Sequence, residues 1–471
     1  MISCVCRSLA CFLLPLSLFG QNRIGTGEVQ QLFNQLCASC HGENLEGGLG
    51  RSLITEDWIR INSELSFNDY VKQGSVDEGM PPFGDVLSHA QLRSLEIYIQ
   101  EVRHKAERAG KTLVAESNGV YEAGGYRFRL ETMVEGLAIP WSLAFLPDGA
   151  LLITERSGAL RVFREGELLP PVKGTPKVWK HGQGGLLEVA LHPDYKDNGW
   201  IYIGLTSSGG ERDGKAQGMT KVVRGRLQDN QWIDEELIFE VPFEWHRSAG
   251  VHFGTRFVFK DGYLFFGIGD RGAMEMAQDL SRPNGKIHRI HDDGRVPKDN
   301  PFRAESNAYP TIWAYGNRNP QGLDLHPQTG AIWESEHGPR GGDEINIIEV
   351  GNNYGWPVIT HGINYNGKPI ADATSAPGME QPKHYWTPSI AVCGIDFYEG
   401  DRFPNWKYDL FAGGLASKEL HRLQIEGQNV VSDGIILKDV GRVRDVASGP
   451  DGYLYVVLNG PDRIVRLVPV D

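Results

Sequence analysis

From Tyr126 onward one pattern returns along the chain: a strand of alternating apolar residues, a Pro-Asp-Gly-like turn, and a second apolar strand. It recurs over Trp141 to Thr154, Leu186 to Leu205, Thr255 to Gly269, Leu323 to Ser335, Ile395 to Ala412 and Val446 to Leu458. Long helical periodicity is nearly absent. Six such units, spaced by roughly 45 to 75 residues, fit radially repeated antiparallel sheets better than a sandwich, because closure into a ring protects most strand edges. The expectation for 126–471 is therefore an all-β six-bladed β-propeller.

The 471 residues leave room for a second domain. Before the repeats, Val29, Leu32, Phe33 and Leu36 recur at helical spacing, and Ser88 is placed to cap a helix bearing Leu92, Leu95, Ile97 and Ile99. This predicts a small all-α domain over 21–111; the charged, small-residue stretch His104 to Gly125 marks the change of composition, with the linker set at 112–125. Residues 1–20 carry Arg7 and the apolar run Leu9 to Phe19, too short to span a bilayer but suited to a signal-peptide core. Cleavage near Gly20 or Gln21 would export a chain with no membrane span, to the periplasm or an equivalent space. The 60 acidic against 47 basic residues, a net charge of -13, argue against nucleic acid or anionic lipid as partners.

Within the helical part stands Cys37-Ala38-Ser39-Cys40-His41. Two thiols at this spacing each add to a haem vinyl group while the adjacent histidine reaches the iron, so the motif reads as covalent attachment of haem c and the domain as a cytochrome c. A zinc half-site is the alternative, but no second ligand pair lies nearby. Met80, the single methionine between Gln21 and Ala115, sits in Gly79-Met80-Pro81-Pro82 and suits the sixth iron ligand; His89 is a weaker candidate. With Cys4, Cys6 and Cys11 lost with the signal, only Cys393 remains, and no structural disulfide is expected in the mature chain.

Gly267-Ile268-Gly269-Asp270-Arg271-Gly272 matches a dinucleotide-binding fingerprint, but its flanks read as hairpins, so we take the glycines as a strand-end turn. The other conspicuous polar residues fall near blade-strand ends. They are Gln183, His252, Asp270, Arg318, Asn319, Gly338 with Pro339, Asp343, Arg442 and Arg444. This inventory holds a neutral base, a carboxylate to orient it, and three arginines suited to a planar anion with several carboxylates.

These segments resemble the glucose/sorbosone dehydrogenase family from about Glu131 to Val468. The resemblance is carried by Ile139-Pro140-Trp141-Ser142-Leu143-Ala144-Phe145, Gly182-Gln183-Gly184-Gly185-Leu186-Leu187, Tyr315-Gly316-Asn317-Arg318-Asn319-Pro320-Gln321-Gly322 and Gly351-Asn352-Asn353-Tyr354-Gly355-Trp356-Pro357. The N-terminal part is similar to class I cytochromes c. The resemblance implies a dehydrogenase that oxidises a sugar substrate with pyrroloquinoline quinone (PQQ) and calcium. By position it assigns His252 as general base, Asp270 as its orienting carboxylate, and Arg318 and Asn319 as quinone contacts. It also assigns Gln183 to sugar and cofactor, Arg442 and Arg444 to the quinone carboxylates, and the Gly338 and Pro339 carbonyls to calcium, with Asp343 in the same region.

Two positions depart from the family's glucose dehydrogenases. Ala416 stands where those enzymes place a lysine, with Lys418 two positions later, and Val251 replaces an aspartate before the base. Trp386 is placed either to stack on a sugar or to fill the core. Electrons would leave through haem to an external one-electron acceptor. The competing readings are a non-catalytic propeller that binds a ligand or partner, tethered to an electron-carrying cytochrome, and the larger eight-bladed alcohol dehydrogenase class. The latter is disfavoured by the short propeller and the lack of an adjacent cysteine pair.

Overall fold

The computed structural model describes residues 26–54, 67–109 and 119–470. The expected signal segment lies outside the described residues. Six antiparallel sheets are arranged in chain order, five of four strands and one of five. They span 140–168, 186–240, 257–315, 320–386 and 392–438, with the last formed by 442–469 together with two strands from the N-terminal side. The six hairpins read from the sequence are the first two strands of each blade. The first strands of neighbouring blades contact one another, so they line the axis.

Local chemistry sets these hairpins. In the first blade Pro147-Asp148-Gly149 turns the chain, with Gly149 at φ 86° and its N–H bonded to the Leu146 carbonyl at 2.9 Å. Apolar residues at alternate positions then bury between blades: Leu152 and Val162 of the first meet Leu186, Ile203 and Val223 of the second in one cluster. The ring closes where the strand Tyr126–Val134 pairs with Arg463–Pro469. Its neighbour Val120–Ala123 pairs on the outer side, so the sheet starts inside the stretch read as a linker. Tyr121 stacks on Phe128 there.

The smaller domain contains four helices among its described residues: α1 (Thr26–Leu36), α2 (Ala38–His41), α3 (Phe67–Gln73) and α4 (His89–Ala109). Ser88 caps α4 as expected, its Oγ accepting from the Gln91 N–H while the Gln91 side chain accepts from the Ser88 N–H. Val29 and Phe33 of α1 pack on Leu92, Leu95, Tyr98 and Ile99 of α4. Among the described residues no helix is long and apolar enough to cross a membrane.

Candidate active site

The first strand pair of the third blade ends with its backbone pressed against the preceding loop. A Cβ on Gly254 (φ 66°) would lie 2.6 Å from the Gly267 carbonyl oxygen, so only glycine permits this approach. It brings His252 beside Asp270. The two side chains meet at 2.6 Å between Nδ1 and Oδ1, with the carboxylate wholly buried. Asp270 also accepts from the Gly272 N–H at 2.7 Å and from the indole Nε1–H of Trp356 at 2.8 Å. The Gly267 to Gly272 glycines form a strand-end turn, since the strand stops at Ile268.

The electrostatics follow from burial and neighbours. Burial lowers the His252 pKa, and the Arg318 and Arg271 cations add to this against the opposing hydrogen bond and charge of Asp270. The imidazole is therefore held neutral at neutral pH, with Nδ1–H committed to Asp270 and Nε2 left as the basic atom. Burial would raise the Asp270 carboxyl, but His252, Arg318 and the Gly272 N–H together hold it below its ordinary value.

Other loops complete the site. Gln183 is exposed, and its Oε1 accepts from the His252 N–H at 2.8 Å. Arg318 is anchored by its backbone N–H to Glu336, while Nη1 donates to the His337 and Gly338 carbonyls at 2.7 Å. Its buried Nε has no partner, so one donor remains for an acceptor placed there. Asn319 Oδ1 accepts from the Gly254 N–H at 3.2 Å. A Cβ on Gly338 would lie 2.1 Å from the Gly342 carbonyl oxygen, so this loop is shaped by glycine. Asp343 ties it down, accepting from the Gly338 N–H, the Val392 N–H and the Ser389 hydroxyl. Gly338 and Pro339 are buried on this loop, with the Gly338 carbonyl oxygen already accepting from Arg318; backbone carbonyls are among the hard donors that calcium takes.

Three guanidinium groups crowd together at the same axial end, where Arg444 and Arg318 both act on His337. Burial lowers the pKa of both Arg156 and Arg442, and the Arg444 charge lowers each further, so an anion among them would relieve the repulsion. Arg156 Nε is also buried without a partner. His337 links the two halves: burial first, then the charge of Arg318, the neighbouring His252 imidazole and the charge of Arg444, push its pKa down to about 3. Lys418 is exposed in a turn bonded back to Ile390 and Ala391, at the same end of the ring as Asp343. Trp386 belongs to the core, with its indole N–H on Asp433 at 2.8 Å.

Sequence reasoning missed Arg156 and Trp356. A positional signal existed for Arg156: it directly follows the second strand of its blade, the place that Asp270 region and His337 also occupy in theirs.

In the helical domain Cys37 and Met80 pack against the same apolar cluster, with Leu32, Leu36, Leu53, Ile54, Phe67 and Phe83 around it. The Met80 loop is held by reciprocal backbone hydrogen bonds with Ser75, each 2.9 Å. His41 Nδ1–H donates to the Arg51 carbonyl at 2.8 Å, which leaves the lone pair of the ring on Nε2. Burial, with the Cys40 neighbour, pushes the Cys37 thiol up to about 11. Partly buried apolar side chains with a thiol and a thioether on one cluster, next in sequence to an imidazole held by a backbone carbonyl, fit a planar macrocycle.

A ring of six sheets with a base, its carboxylate and an arginine rim at one axial end defines a propeller oxidoreductase. Residues 137–466 match the Glucose / Sorbosone dehydrogenase family, and the chain belongs to it. Residues 26–99 match the Cytochrome C oxidase, cbb3-type, subunit III family. The aldose sugar dehydrogenase YliI of Escherichia coli (strain K12) is 47% identical over 337 residues, covering 70% of this chain and 89% of that protein. The crystal structure of the soluble aldose sugar dehydrogenase from Escherichia coli in its apo-form superposes with a TM-score of 0.69 at 44% identity, covering 73% of this chain and all of that one. The PQQ-bound aldose sugar dehydrogenase from Streptomyces coelicolor gives a TM-score of 0.60 at 26% identity, covering 73% and 98%.

Proposed function

We propose that the protein is an exported quinohaemoprotein that oxidises an aldose at its anomeric carbon, using PQQ and calcium in the propeller and passing electrons to a c-type haem in the helical domain. The observation that carries this reading is the His252–Asp270 pair at 2.6 Å, beside an arginine whose buried Nε lacks an acceptor. Bound PQQ supplies a two-electron acceptor, calcium a Lewis acid, and haem a one-electron acceptor.

His252 takes the proton of the anomeric hydroxyl on Nε2. Asp270 keeps the ring in the tautomer that makes this possible and stabilises the imidazolium formed. Arg318 Nε–H offers a donor to negative charge developing on an acceptor oxygen. Arg156, Arg442 and Arg444 match three carboxylates by charge, and Asn319 and Gln183 fix the backbone around the base. The Gly338 and Pro339 carbonyls would hold calcium, with Asp343 shaping their loop and Lys418 available at the same rim. Cys37 and Cys40 would form the thioethers, with His41 and Met80 as axial ligands.

To test the reading, the purified protein is loaded with PQQ and calcium, aldoses are added, and both haem absorbance and reduction of a small dye are followed. Reduction of haem by sugar is expected. Reduction of neither acceptor by any aldose removes the catalytic reading.

A further inference from the structure

Helix α4 carries two buried stripes rather than one. Leu92, Leu95, Tyr98 and Ile99 face the helical domain's own cluster. Ser94 and Ile97, each 1% exposed, and Glu101 lie on a second stripe at spacings of three and four residues, and none of them belongs to that cluster. What covers this stripe is the fourth blade. Ser94 Oγ donates to the Gly367 carbonyl at 2.6 Å. Glu101 receives a two-pronged ion pair from Arg340, Nε to Oε1 at 2.7 Å and Nη2 to Oε2, with the side chains only 15% and 13% exposed.

Arg340 is not an arbitrary partner. It directly follows Gly338 and Pro339, and its backbone pairs with Ile363 in both directions. One continuous set of contacts therefore runs from Arg318, through the Gly338 carbonyl and the loop to Arg340, across to Glu101, and through α4 to the cluster holding Cys37 and Met80.

We infer that this second stripe of α4 and the loops around Arg340 and Gly367 form a standing intramolecular docking surface. Glu101 and Arg340 latch it and act as positioning residues for electron transfer between the domains. The inference rests on the proposed function for its redox consequence. Oxidation of an aldose to its lactone releases two electrons and two protons. A c-type iron takes one electron at a time, Fe(III) to Fe(II), so each turnover needs two crossings of this surface, each followed by reoxidation of the iron by the external one-electron acceptor.

The test compares wild type, Glu101→Arg, and Glu101→Arg combined with Arg340→Glu. Small-angle scattering of each purified protein reads the docking, and stopped-flow spectroscopy of the PQQ- and calcium-loaded proteins reads aldose-driven reduction of haem and of phenazine ethosulfate. Removing a buried ion pair and replacing it with like charges is expected to enlarge the radius of gyration and slow haem reduction by about tenfold or more. Dye reduction and the haem potential are expected to stay unchanged, and the charge-swapped pair is expected to restore both docking and haem reduction. An expanded wild type, or a Glu101→Arg protein that reduces haem as fast as wild type, overturns the inference. If wild-type sugar turnover is absent altogether, the catalytic reading falls, and scattering alone still decides the docking surface.

Discussion

Replacing Trp356 with phenylalanine isolates one donor to a buried charge. Asp270 is wholly buried and accepts three hydrogen bonds, from His252 at 2.6 Å, Gly272 at 2.7 Å and Trp356 at 2.8 Å. Trp356→Phe leaves two. A hydrogen bond to a charged group is worth about 1.5–3 kcal/mol, and the smaller ring adds a packing loss of roughly 1 kcal/mol. Total destabilisation is expected near 3 kcal/mol. Thermal unfolding of Trp356→Phe, Asp270→Asn and the double variant separates the two parts, since packing loss persists with asparagine while the charge-dependent part does not. Because the Asp270 pKa is depressed in the fold, its stabilisation is present above the ordinary aspartate value and is lost only as pH falls through the lower folded value. The coupling is therefore expected to be flat from about pH 5 upward. A coupling below about 0.5 kcal/mol refutes the assignment of Trp356 as a support of the Asp270 carboxylate.

His252→Ala is expected to slow sugar-driven reduction by about 10²–10⁴-fold while leaving the haem spectrum intact. In the wild type the acidic limb of kcat/KM should fall below the ordinary histidine value, and Asp270→Asn should move it lower still, because the carboxylate is what raises the imidazole pKa. Arg156→Ala is expected to weaken PQQ binding by about 10- to 100-fold, read by tryptophan fluorescence quenching. Chelation with EDTA should weaken the same binding, with recovery on adding calcium. Met80→His should retain haem but lower its potential in a spectroelectrochemical titration.

The inner hairpins were legible because alternation and Pro-Asp-Gly turns are local signals: Leu146 to Ala150 closes on itself without help from the rest of the chain. His252 and Asp270 were legible through family resemblance, and their contact depends on Gly254, whose role shows only in three dimensions. Arg156 and Trp356 come from the first and fourth blades and acquire meaning when ring closure brings them to one end, which no spacing along the chain encodes. The Val120–Ala123 strand was hidden by its length, four residues bounded by Gly119 and Gly124 that read as part of a glycine-rich connection. The burial of Ser94 and Glu101 has no signal in the sequence, because a polar side chain buried by another domain has the same local sequence as one in water.

The sixth sheet is a clasp, fastening 120–134 from one side of the ring to 442–469 from the other. No intermediate length of nascent polypeptide contains both halves of that fastening until Arg463–Pro469 has been made. The helices that read as haem-bearing are synthesised first and can mature as a unit, while the toroid must wait. Deletions that shave the last strand are thus expected to unbuckle the whole circle rather than trim its edge.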